Sequence, residues 1–157
     1  MKSNQKTISR LERGQSMVEL ALSFTVLLIL LSGVVDLGRA FFTFMALRDA
    51  AQEGALYGSL FPADPNDTTG GTLNTIGIVN RVRMASSSPV NLTNPNITVD
   101  ILTVPAGGPL CQGTGIRVNV SYTNFPLIMP FWNTLMGTST IPIHATIEDT
   151  IITPPCH

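Results

Sequence analysis

The sequence predicts an α+β protein in which a long N-terminal helix, half transmembrane and half projecting, packs against a small antiparallel sheet. Three observations lead there. A nineteen-residue apolar run from Met17 to Val35 carries one charge, Glu19. Helix-favouring sequence continues beyond it without a break, and three later stretches alternate like strands between turn formers. Composition agrees: hydrophobic residues make up 44% of the 157-residue chain and charged residues 12%, about half the charge of a typical soluble domain.

At about 1.5 Å per residue the apolar run is just long enough to cross a hydrocarbon core of roughly 30 Å. A buried helix of a soluble protein is the plain alternative. Lys2, Lys6, Arg10 and Arg13 precede the run with only Glu12 against them, whereas Asp36 and Arg39 balance on its far side. The positive-inside rule then keeps the N-terminus in the cytoplasm and exports everything after Asp36. A secretory signal peptide also starts basic and apolar, and Gly38 and Ala40 are spaced as its cleavage site needs. The run is longer than the usual signal core, however, and helical sequence passes through that site.

The continuation keeps apolar residues at Leu37, Phe41, Phe44, Leu47, Ala51, Ala55 and Gly58, a helical spacing that turns small towards its end. One helix from about Ser16 to Gly58 is expected, with its outer half needing a cover for this stripe. The chain thus divides into a basic cytoplasmic leader (1–14), a long helix (15–58) containing the span (17–35), and an extracytoplasmic α+β domain (59–157).

The junction Arg13-Gly14-Gln15 ends the leader, and Glu19 follows five residues after Gly14, inside the apolar run. A carboxylate there is costly and usually paired. Cleavage after Gly14 would free the α-amino group of Gln15, largely protonated at neutral pH, as a partner for Glu19 of the same or a neighbouring subunit. Otherwise Glu19 snorkels to the cytoplasmic interface.

This junction resembles the type IV prepilin signature, in which a membrane peptidase cuts after the leader glycine and the acid at the fifth mature position guides subunit packing. More narrowly, the chain resembles the TadE-like pseudopilins of tight-adherence (Flp-type) pilus systems. The resemblance rests on Arg13-Gly14-Gln15, Val18-Glu19-Leu20-Ala21-Leu22, the run Gly33 to Phe41 with Asp36, Gly38 and Arg39 in it, and Ala50 to Tyr57. It covers about the first 58 residues and implies a pilin-like fold and a structural role.

Beyond the helix, Pro62 to Gly71 is dense in turn formers and reads as a linker. Thr72 is expected to cap a short helix with Leu73, Ile76, Val79, Val82 and Met84 near helical spacing and Arg81 and Arg83 towards its C-terminal end. Strands are expected at Ile97 to Val104, Ile116 to Thr123 and Ile141 to Ile152, forming an antiparallel sheet over the projecting helix. Ala51, Gly54, Ala55 and Gly58 would let that sheet approach closely. Between the last two strands, Phe125, Leu127, Ile128, Met129, Phe131 and Trp132 form an uncharged run broken only by Pro126 and Pro130. It is either core under the sheet or an interface for membrane or partner.

Cys111 and Cys156 are the only cysteines; in an oxidising compartment they are expected to pair, with free thiols or an interchain bridge as alternatives. No catalytic constellation, cofactor motif or basic patch for nucleic acid is legible, and Cys156-His157 lacks further ligands for a metal. The expected function is therefore structural: a minor pilin or pseudopilin in the cytoplasmic membrane, possessing no enzymatic activity. Its expected partners are a prepilin peptidase, other pilins or pseudopilins, the pilus assembly platform and membrane lipid. An unprocessed, membrane-anchored extracytoplasmic binding module is the alternative.

Overall fold

The computed structural model describes the backbone of residues 5–68, 71–88, 90–130 and 132–156, and the side chains of these except 5–13 and 135. In chain order the elements are α1 (Gln5–Leu60), α2 (Thr75–Met84), β1 (Ile97–Val104), β2 (Gly115–Pro126), α3 (Trp132–Met136) and β3 (Thr140–Thr150). The long helix and the antiparallel sheet expected from the sequence are both present. The helix is longer than expected at its start, because Gln5 to Gln15 is rich in good helix formers and has no proline.

The chain separates into two compact units, and α1 contributes to both. The first holds the chain up to Gly38 together with Leu127–Ser139; the second holds Arg39–Pro126 and the chain from Thr140 onward.

In the second unit, the three strands lie in the order β1-β2-β3, all antiparallel. Central β2 buries Ile116, Val118 and Val120 and turns Arg117 and Asn119 outward, the period of a half-buried strand. Against this face α1 sets Leu47, Ala50, Ala51 and Ala55, all buried, and α2 adds Ile78 and Val82. Small residues make that approach possible. A Cβ on Gly58 would come within 2.5 Å of Ile116 Cδ1, and one on Gly54 would collide with Val82 Cγ2. Each glycine costs an isolated helix about 1 kcal/mol, which close packing here offsets.

Three details differ from the sequence expectation. The cap of α2 is Asn74, whose Oδ1 accepts from Gly77 N at 3.0 Å, and not Thr72. Thr72 is already engaged: its N–H and hydroxyl donate to Asp67 Oδ2 at 2.8 and 2.6 Å, while Leu73 bridges to Ala63. On α2, Ile78 and Val82 form the buried face, and Ile76 and Met84 are exposed. Finally, β2 does not stop at Thr123. Tyr122 pairs with Ile143 and Phe125 with Ile141, so β2 carries one extra residue opposite Pro142. The bulge shifts the alternation and returns Phe125 to the buried side, edge-on to Tyr122 at 5.8 Å.

The last turn of α1 leaves carbonyls without helical partners, and residues after β3 supply donors. Ile152 N donates to Ser59 O at 3.0 Å and Thr153 Oγ1 to Leu60 O at 3.2 Å. A Cys111–Cys156 disulfide and the Gln112 N to Pro154 O bond hold this segment in place. A bridge across 45 positions contributes about 4 kcal/mol in the chain-entropy picture. Replacing both cysteines by serine is therefore expected to lower stability by up to about 4 kcal/mol and to speed amide exchange at Ile152. Denaturant unfolding of the full chain with exchange mass spectrometry measures both.

Candidate functional site

Gly14, Gln15 and Glu19 lie exposed on continuous α1, ahead of a surface of exposed Leu20, Leu22, Phe24, Leu27, Leu30 and Leu31. Residues four apart share a helix face, so Gln15 and Glu19 are neighbours. Polar groups inside the apolar run satisfy themselves: Thr25 Oγ1 donates to Ala21 O and Ser32 Oγ to Ile29 O, each at 2.8 Å. Among the described residues α1 is long and apolar enough to cross a membrane, and none of its most apolar window is buried by protein. These are the properties of a single-pass anchor.

At the end of the run, Asp36 is only 4% exposed. Its Oδ2 accepts from Ile128 N at 2.7 Å and Met129 N at 2.6 Å. Both are charge-assisted bonds, short and stronger than neutral ones. They fasten the segment Leu127–Ser139 to α1. Met129 follows the same contact, its Sδ lying 3.7 Å from where a Cβ on Gly33 would stand. Ile29, Ser32 and Gly33 are partly covered and Asp36 is buried, a stripe at i, i+3, i+4 and i+7.

Arg39, three residues on, belongs to the second unit. Its guanidinium sits 5.2 Å from the Phe125 ring centroid and makes a long 3.4 Å contact to Pro126 O. Phe42, buried Thr43, Asn91, Asn94 and Tyr122 complete an open cleft of about 570 Å³ around these groups. Sequence reading missed those lining residues, because they come from separated segments and have no shared spacing. Gly38 faces open space.

The uncharged run from Phe125 to Trp132 thus divides between the units. Phe125 is core of the second; Leu127, Met129 and Trp132 are half-buried and Ile128 is exposed in the first. Phe131 lies outside the described residues, as do Lys2 and His157. Cys156 is in the disulfide and is not available as a ligand.

Residues 14–56 match the model of the TadE-like protein family. Over that segment the chain is similar to the TadE-like family. No curated protein and no solved structure matches it. The TadE-like segment begins at Gly14, contains Glu19, Asp36, Gly38 and Arg39, and ends inside the stripe that packs on the sheet. This match points to a role in tight-adherence pilus assembly, with other pilus components as partners. The loop that Asp36 holds, the Phe125 and Pro126 contacts of Arg39 and the disulfide lie outside it.

Hydrogen bonds to a charged group contribute about 1.5–3 kcal/mol each. Replacing Asp36 by alanine is expected to speed amide exchange at Ile128 and Met129 roughly ten- to hundredfold. Exchange mass spectrometry of the full chain in detergent or nanodiscs reads this directly. Unchanged rates would mean that another contact holds the loop.

Proposed function

We propose that this chain is a minor pilin or pseudopilin of a tight-adherence (Flp-type) pilus, cleaved after Gly14 by a prepilin peptidase. A single span holds it in the cytoplasmic membrane, with its N-terminus inside and its sheet-bearing unit outside. The observation that carries this reading is the family match, which starts at Gly14 and runs through the apolar helix.

Physical reasons support it. Gly14 is a weak point in the helix, by about 1 kcal/mol relative to alanine, where a peptidase has to open the backbone. After cleavage, the Gln15 amine and the Glu19 carboxylate lie within one helical turn, and a neighbouring subunit's pair can exchange partners with them. The uncovered side chains of the span suit lipid or the helices of other pilins. Its partners are then the peptidase, other pilins or pseudopilins, the assembly platform and lipid. Its own role is mechanical; the assembly motor supplies the work.

The native protein is expected to begin at Gln15 in intact-mass measurement. A chain that keeps residue 14 in cells with an active prepilin peptidase would favour the anchored binding module.

Glu19→Gln is expected to leave membrane abundance unchanged, since removing the charge lowers the insertion cost, and to abolish crosslinking to pilus components. Normal crosslinking and piliation in that variant would mean that Glu19 only snorkels. Loss of cleavage would instead move its role to peptidase recognition.

A further inference from the structure

We propose that Leu127–Ser139 is a second membrane contact, an apolar loop seated in the headgroup boundary of the leaflet facing the sheet-bearing unit. This rests on the single-span reading above.

The loop is uncharged and exposes large apolar side chains beside Asn133, Thr134, Thr138 and Ser139. No Asp, Glu, Lys or Arg occurs between Arg117 and Glu148. Within the loop Ile128 is 62% and Met136 58% exposed. On α1, Leu30, Val34 and Leu37 are exposed as well. A protein-facing patch usually has a charged rim; this loop has no charged residue and is joined to the span through Asp36 and Gly33.

Depth follows from the contacts. Asp36 is the first charge after the apolar run, and its carboxylate sets the level of Ile128 and Met129. Met129 then reaches back to Gly33, three residues or about 4.5 Å towards the bilayer interior. The loop therefore overlaps the last turns of the span.

Irregular backbone tolerates such a place only if its polar groups are satisfied without water. Ile128 N and Met129 N donate to Asp36, Leu127 N donates to Ser139 O at 3.0 Å, Pro130 has no N–H, and Gly137 N closes α3 on Asn133 O at 2.8 Å. The Asp36 carboxylate does for Ile128 N and Met129 N what water would otherwise do. Trp132 adds a second sign. Its Nε1 is buried without an acceptor, the sole such side-chain atom among the described residues. At the headgroup boundary, where tryptophan is enriched, a small turn of the ring gives that N–H lipid oxygens.

Trp132 is the chain's single tryptophan, so its fluorescence reports the loop alone. The test uses the full chain, reconstituted at low protein-to-lipid ratio in phosphatidylcholine–phosphatidylglycerol vesicles. Flotation reports the span; quenching reports the loop. Lipids brominated near the headgroup end of the acyl chain are expected to remove most emission, deeply brominated lipids less, and iodide little. Ile128→Asp, an exposed position, is expected to reverse the shallow-lipid and iodide effects without changing flotation, and an unchanged profile overturns the proposal. So does a floated parent chain quenched by iodide and not by bromolipid, which leaves the span reading intact. Shielding from both quenchers also overturns it, assigning the loop to a protein partner such as a second copy. A chain that does not float overturns both readings.

Discussion

A helix that stays apolar along most of its length has to find an apolar surrounding for every part of that length. In α1 the requirement changes character at Asp36 and Arg39. Before them the large side chains of the run are uncovered by protein, in a form that fits lipid. Beyond them the stripe narrows to Leu47, Ala50, Ala51, Gly54, Ala55 and Gly58, and a sheet covers it. Burial near 25 cal/mol per Å² drives both halves, but the two surfaces are built differently. Lipid conforms to bulky residues; β2 and α2 do not, and only small ones let them close.

The charges at the change of surrounding are handled in two ways. A guanidinium is weakly hydrated and tolerates an aromatic face, so Arg39 lies over Phe125. A carboxylate has no such option and needs donors. Asp36 takes backbone donors from Ile128 and Met129, the cheapest ones to bring, since they carry no side-chain entropy and have to be satisfied in any case. One contact thereby serves the acid and the loop together.

Much of the architecture was readable in the sequence because it rests on periodicity. The apolar run, the small-residue stripe and the alternation of Ile116, Val118 and Val120 each encode the face they bury. What escaped were choices between equivalent local partners. Thr72 and Asn74 are both good caps, and Asp67, several residues away, decides by engaging Thr72. A bulge opposite Pro142 reverses the facing of Phe125, which no alternation rule foresees. Asp36 and Arg39 stood out through the family resemblance, but their partners lie about 90 residues away in sequence and show no spacing. The reading of a leader junction rests on the motif alone, since Gly14 and Gln15 are exposed on α1 and packing does not bear on it.

The TadE-like match ends at residue 56, and the packing gives a physical reason for that limit. The helix side of the interface is demanding within the matched segment: a side chain on Gly54 would displace Val82. The sheet side asks only for aliphatic residues at alternate positions, which many sequences supply, and volume-conserving exchange among them usually costs less than about 1.5 kcal/mol. A segment constrained residue by residue is recognisable across proteins, whereas one constrained only in pattern is free to drift. The resemblance therefore follows the helix, together with Asp36 and Arg39, and stops where the chain needs no more than β-branched alternation and a disulfide to complete the fold.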